Sequence, residues 1–282
     1  MYGLSVRNKY GETLDFQNNG TYDVVSIKGL NPPNAIINLS TIATTDGAIF
    51  NSSRADKRNI VITIVFHNDI EISRTQLYRF FPTKEPVTLF FHNTSRNVKI
   101  EGYVESFECD LFERGQRAQI SIVCPQSYFT DEELTYVNFS TVTGVFEFPV
   151  NFLESGIEIS KRDNNAQAII NYTGDSETGM IIELYTSGNV VRPVIRNKIT
   201  NETFVLEMEL VADDKVIINT KRGEKSVVLY RGGQHINIIN KLVAGSTWLI
   251  VRPGTNVFSY ETTYGLENMK LLFTIDQLYA GV

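Results

Sequence analysis

Along the whole chain, short runs of β-branched and aromatic residues alternate with polar ones and are separated by turn residues. Phe204, Leu206, Met208 and Leu210 alternate with Thr203, Val205, Glu207 and Glu209, so Thr203 to Val211 predicts a strand with one apolar and one wetter face. Asn59 to Phe66 lacks a polar face and predicts a strand buried on both sides. Further strands are predicted at 87–91, 98–107, 118–123, 180–185, 190–195, 215–220, 226–230, 247–251 and 270–275. One helix interrupts them, predicted over about 73–81. Ser73 and Gln76 fit a capping box, Leu77, Phe80 and Phe81 share one face, and Pro82 stops it. Many short strands at regular spacing give an all-β fold of two β-sandwich domains, the first carrying the short helix.

The texture changes between about 130 and 150, where Asp131-Glu132-Glu133 and Ser140 to Gly144 separate two strand clusters and the next run starts near Ile157. The division adopted is 1–135 and 136–282, two halves of ~140 residues, a common domain size. Hydrophobic residues at 42% and charged residues at 21% exclude a disordered or fibrous chain. A net charge of −6 argues against a general nucleic-acid or polybasic membrane binder. No apolar run reaches the ~20 residues of a membrane span, and Met1 to Arg7 lacks signal-peptide order, so a soluble protein made in the cytoplasm is expected. The two cysteines, Cys109 and Cys124, fall on a predicted hairpin closing near Glu113, with Cys109 opposite Arg117 or Ala118 and Cys124 opposite Gly102 or Tyr103. That register sets them ~20 Å apart, so two separate thiols are expected, not a bridge.

No catalytic constellation emerges. His67, His92 and His235 each adjoin a strand or turn and none sits in an HExxH helix. Gly223-Glu224-Lys225-Ser226 lacks the Gly-Lys pair of a phosphate loop and reads as a hairpin turn. Asp131-Glu132-Glu133 and Asp213-Asp214 read as solvated turn charge, and Asp163-Asn164-Asn165 lacks the Gly and Glu of a calcium loop. No enzyme, metal or cofactor is called for. Trp248 reads as core, whereas Tyr260 and Tyr264 are candidate glycan platforms, which keeps a cell-surface glycan-binding module as the alternative function. The basic cluster Arg54-Ala55-Asp56-Lys57-Arg58 reads equally as gatekeeper charge before an apolar strand or as a cationic contact for an acidic neighbour.

The ordered string of segments resembles the distal tail proteins of tailed bacteriophages. It runs through Gly29-Leu30-Asn31-Pro32-Pro33, Asp46 to Arg54, Arg58 to Ile62, Leu77 to Phe81, Ile100 to Ser106 and Gln119 to Pro125. The second half continues with Asn171 to Asp175, Arg192 to Asn197, Lys215 to Thr220, Arg252 to Asn256 and Leu278 to Val282. Asn219 stands where the family pattern carries an aspartate, which leaves the fold assignment intact. The resemblance implies a non-catalytic virion protein at the tail tip, assembled in the bacterial host cytoplasm. It implies a homohexameric ring made by the first domains, with galectin-like second domains. The implied partners are the tail tube protein, the tail-tip hub protein and receptor-binding or baseplate proteins. DNA would pass through the lumen without specific binding. Candidate ring contacts lie in the Asp46-to-Arg58 loop, at Asp46, Arg54 and Arg58, and on the helix face carrying Arg74 and Arg79.

Overall fold

The computed structural model describes residues 3–17, 20–44, 46–112, 116–140, 142–144, 160–162 and 167–282. The expected turn at Glu113, the strand start near Ile157 and the Asp163–Asn165 cluster lie outside them. The chain forms two compact units, Met1–Glu133 with Leu278–Val282, and Leu134–Gln277. A single cut at 135/136 misses the return of residues 278–282 to the first unit.

In the first unit the strands are β1 (Gly3–Asn8), β2 (Thr13–Asp15), β3 (Tyr22–Lys28), β4 (Ala35–Ser40), β5 (Ile49–Ala55), β6 (Arg58–Phe66), β7 (Pro86–His92), β8 (Asn97–Cys109), β9 (Arg117–Cys124) and β10 (Phe129–Asp131). The main sheet runs β2-β1-β7-β8-β9-β6-β3, with β10 joined to β8 and Leu278–Tyr279 joined to β10. In β6 the alternation decides burial. Ile60, Ile62 and Ile64 are fully buried, whereas Val61, Thr63 and Val65 are half-buried. The expectation of burial on both faces fails, because an apolar face that is only partly covered gives the same residue types as a buried one.

Helix α1 (Ile70–Phe80) starts one turn before the predicted point. Asp69 precedes it in a left-handed conformation, and the Ser73 hydroxyl donates to the Asn68 carbonyl at 2.9 Å, so the capping box does not form. Ile70 packs on the core as Leu77 and Phe80 do, which extends the buried face upstream of Ser73. Ser73 is itself buried, and the Tyr22 hydroxyl lies 3.0 Å from both the Ser73 carbonyl and Gln76 Oε1. In the β8–β9 hairpin Cys109 faces Ala118, and a Cβ on Gly102 would meet Cys124 Sγ, so the expected register is correct and both thiols are free.

The second unit is a sandwich. Its six-stranded sheet is ordered Thr135–Ser140, Met269–Ile275, Met180–Thr186, Lys215–Asn219, Ser226–Arg231, Gln234–Asn237. The four-stranded sheet is ordered Gln167–Tyr172, Gly254–Glu261, Val194–Asn197, Thr203–Val205. Side chains from both sheets share one core, with the Phe258 and Phe273 rings 5.5 Å apart across it. Gly223, at positive φ, turns the predicted hairpin between Lys215–Asn219 and Ser226–Arg231.

Three expected strands change. The strand expected at 190–195 divides into Val190–Val191 and Val194–Asn197, in different sheets, while Val190, Val194 and Ile195 stay buried. Thr203 to Val211 splits into Thr203–Val205 and Glu209–Leu210, in different sheets, while Phe204, Leu206 and Leu210 all stay buried. In Thr247 to Val251 only Val251 bridges, to Thr178, although Leu249 and Val251 are fully buried. Core burial preserved the apolar pattern in all three places without a continuous ladder.

Candidate interaction surface

Strands β4 and β5 pair only with each other, as a separate two-stranded sheet. Their register runs from Ala35 opposite Ala55 to Ser40 opposite Ile49, with a bulge after Asn38. The ribbon is exposed on both faces, yet Ile37 is 57% and Phe50 61% exposed, and Leu39, Ile42 and Ile49 are also open to solvent. Leu39 and Phe50 sit directly opposite each other. An isolated hairpin is marginal in water, and a cluster of exposed large apolar residues marks an interaction surface. Sequence reasoning placed candidates on β5 but missed Ile37 and Leu39. The run Ala35-Ile36-Ile37-Asn38-Leu39 was the available signal.

The root of this arm is built on Arg58, which is 4% exposed. Its guanidinium donates to the carbonyls of Gly29, Asn31 (2.6 Å), Ser127 (2.8 Å) and Ala280 (2.7 Å), and it lies 4.4 Å over the Phe129 ring. Burial lowers its pKa. Five donors in a planar fork suit several carbonyls at once, as an ammonium would not. Arg96 repeats the device, donating to the Gly281 carbonyl at 3.0 Å and covering the Tyr279 ring at 4.4 Å. Gly29 has φ +89°, and a Cβ there would stand 2.1 Å from the Asn59 carbonyl oxygen. The arm therefore leaves the sheet from a fixed base.

Of the other predicted contact residues, Asp46 and Arg54 are exposed, at the tip and on β5. Arg58 is corrected: its charge is spent inside the unit and cannot reach a neighbour. Arg74 is half-buried and donates to Gln116 Oε1 at 3.0 Å. Arg79 is exposed and pairs with Glu12 at 3.3 Å, beside the exposed Ile72. The arm and the α1 face thus lie on separate elements.

The glycan candidates divide. Tyr260 is 5% exposed with its hydroxyl 3.2 Å from the Met269 carbonyl, so it is core and no sugar platform. Tyr264 is exposed. Trp248 is half-buried against the second core, edge-on to Phe204 at 5.6 Å.

The remaining chemistry is structural. Asp131 belongs to β10, with the Tyr279 hydroxyl 3.3 Å away, and burial raises its pKa. Asp214 is 2% exposed and holds Arg231 at 2.5 and 2.8 Å, with the Val211 amide at 2.8 Å. Neither is the solvated turn charge expected. Burial pushes the Cys124 thiol up to about 12, against a smaller opposing effect of Arg58. His67 pairs with Asp23 at 2.6 Å, His92 with Glu132 at 3.3 Å, and His235 packs on Tyr230. Among the described residues no group of three or more His, Cys, Asp or Glu side chains could hold a metal ion. Among them, too, no helix is long and apolar enough to cross a membrane.

Comparison with known proteins assigns both units. The family model for the phage tail protein RIFT-related domain matches residues 9–124, and that for the siphovirus-type tail component C-terminal domain matches 173–274. The chain is therefore a siphovirus-type tail component of two parts. It belongs to the distal tail protein family of tailed bacteriophages. Among solved structures it resembles the Dit protein of phage SPP1, described as a paradigm of the hub adsorption apparatus of phages infecting Gram-positive hosts. The TM-score is 0.65 at 12% identity, covering 97% of this chain and 98% of that one. It also resembles a chain of the phage P2 baseplate in its activated conformation with calcium, with a TM-score of 0.51 at 13% identity and full coverage of both. At these identities the likeness is one of fold. A search of curated protein sequences finds no match.

Proposed function

We propose that six copies of the chain form a ring through their first units, at the tip of the virion tail. The ring joins the tail tube protein to the tail-tip hub protein, and the second units give receptor-binding or baseplate proteins a place to dock. The observation that carries this reading is the β4–β5 arm, an exposed apolar ribbon on a rigid base that a solitary subunit leaves uncovered. A closed ring needs a heterologous contact, one surface of each copy meeting a different surface of the next, and a projecting arm suits that. The hub and baseplate roles named for the SPP1 and P2 proteins support the same reading.

The role is structural, without catalysis. The half-buried Asp131 and the buried Asp214 are each engaged by a fixed partner, Tyr279 and Arg231. Assembly takes place in the bacterial host cytoplasm, and DNA crosses the lumen without specific binding, which a net charge of −6 favours. Electron-microscope class averages of the purified protein test the reading. Six-fold rings with a central hole are expected; particles without rotational symmetry contradict it. Turnover of isolated cell-wall polysaccharide by the purified protein would overturn the non-catalytic assignment.

A further inference from the structure

The six-stranded sheet of the second unit buries one face in the sandwich core and turns the other outward. On the outward face its register makes direct neighbours of Lys270, Tyr185, Lys215, Tyr230 and His235, across five strands. At ~4.8 Å per strand this row is ~19 Å long. Lys270, Tyr185 and His235 are exposed, and Lys215 and Tyr230 are half-buried. The adjacent row holds Leu272, Glu183, Ile217 and Val228, all half-buried. Strand propensity accounts for these residue types, but not for the way their polar atoms are engaged.

The two tyrosine rings are held in place by their neighbours. The Tyr185 hydroxyl donates to Glu183 Oε2, and Lys215 Nζ lies 2.9 Å from the same oxygen and 5.0 Å from the Tyr185 ring centre. The Tyr230 and His235 rings stand 4.3 Å apart. Burial works to raise the Glu183 pKa, but hydrogen bonds from Tyr185 and Lys215 prevail and keep it a carboxylate. Both contacts use Oε2, and among the described residues no hydrogen bond engages Oε1. The face therefore presents two fixed aromatic planes, an apolar strip beside them and one carboxylate oxygen ready to accept a proton donor.

We infer that this face binds an uncharged sugar polymer, with one sugar stacked on Tyr185, another on Tyr230, and Glu183 accepting a hydroxyl hydrogen bond. A sugar ring is apolar on its C–H face and polar at its rim, so it suits an aromatic plane with hydrogen-bonding groups at the edge. Tyr185 and Tyr230 stand two strand spacings apart, ~10 Å. That is close to the separation of alternate sugars in an extended chain. Rings already held in place lose little freedom on binding. An acidic polymer gains less here, because the Lys215 charge is already matched by Glu183. Single-stranded nucleic acid would stack on the same rings but needs a positively charged groove, which this row and a net charge of −6 do not supply. The inference goes beyond the ring reading, since one copy holds the whole site.

The test titrates the full chain against isolated cell-wall polysaccharide of the host bacterium, with single-stranded DNA as a second probe and a thermal melt of every variant. The parent is expected to bind the polysaccharide saturably. Tyr185→Ala and Tyr230→Ala should each weaken binding by about tenfold or more while the melting temperature stays within a few degrees. Tyr185→Phe, which keeps the ring, should weaken it less. A footprint serves without mutation: bound polysaccharide should slow chemical acetylation of Lys270 and leave the exposed Lys198, which follows a strand of the other sheet, unchanged. Absence of binding, binding indifferent to both tyrosines, or an unprotected Lys270 overturns the inference. Loss of binding through Tyr264→Ala instead overturns it by moving the site, and preference for the DNA makes the face a nucleic-acid site. None of these outcomes bears on the ring, which the class averages test separately.

Discussion

Arg58 shows how a residue's neighbours in sequence mislead about its neighbours in space. It closes the run Arg54-Ala55-Asp56-Lys57-Arg58, in which Arg54 and Lys57 are exposed and Asp56 is half-buried, yet it is buried against four carbonyls. The partners come from positions 29, 31, 127 and 280, and no local pattern announces contacts at such separations. Arg58→Met is expected to destabilise the first unit by about 2–4 kcal/mol, because buried carbonyls lose a charged donor. Arg58→Lys should recover little of this, since one ammonium cannot span all four. Chemical denaturation of the variants checks both.

Asp214 makes the complementary point in the second unit. Burial works to raise its pKa, but hydrogen bonds from Arg231 and the Val211 amide prevail and hold it below the ordinary value. A carboxyl depressed on folding stabilises above its unfolded pKa of about 4, and that contribution is lost as pH falls through the lower folded value. Asp214→Asn is expected to cost about 1–3 kcal/mol at pH 7, Arg231 being partly in solvent. The difference from the parent should shrink below pH 4, as thermal melts across that range would show. Its neighbour Asp213 is a true exposed turn residue with φ 65°, so a DD pair alone could not reveal which carboxylate turns inward.

Among the elements, those with strong periodicity and close turns were legible. The β8–β9 hairpin, its cysteine register and the hairpin at Gly223 follow from alternation and turn chemistry. The helix was legible in its apolar stripe and its end, but its start was not, because Ile70 adds a packing contact that outweighs a capping box. Runs such as Thr247 to Val251 are core without being strands, and apolar pattern cannot separate those two outcomes.

The arm is the clearest departure. Ile36, Ile37, Ile49 and Phe50 favour strands, but the Asn-Ser-Ser-Arg-Ala run that completes β5 does not, and nothing in the composition of either segment says that the sheet they form stands alone. Replacing Ile37, Leu39 and Phe50 by serine is expected to leave the melting temperature within a few degrees, because these side chains add little to the core. The same variant should lose higher-order assembly in size-exclusion chromatography. Gly29→Ala should behave oppositely, costing more than about 1 kcal/mol through strain at the arm's base, measurable by denaturation.

For the whole molecule, the two strand clusters were visible in the change of texture near 130–150, whereas the return of residues 278–282 to the first unit was not. That return depends on β10, Arg58 and Arg96, each from a different part of the sequence. The family was legible from the order of weak segments rather than any one motif, and its models match within both units. The candidate surface was half legible: Asp46 and Arg54 lie on the exposed arm, Arg58 does not face outward, and Tyr260 is core.

Assembly is the central claim, and the mass of the purified protein in solution tests it most directly. The account predicts a particle of six times 31.9 kDa that survives moderate dilution and falls to single copies when Ile37, Leu39 and Phe50 are replaced by serine. A parent protein that stays at 31.9 kDa at every concentration, or a six-copy particle indifferent to those substitutions, would contradict it.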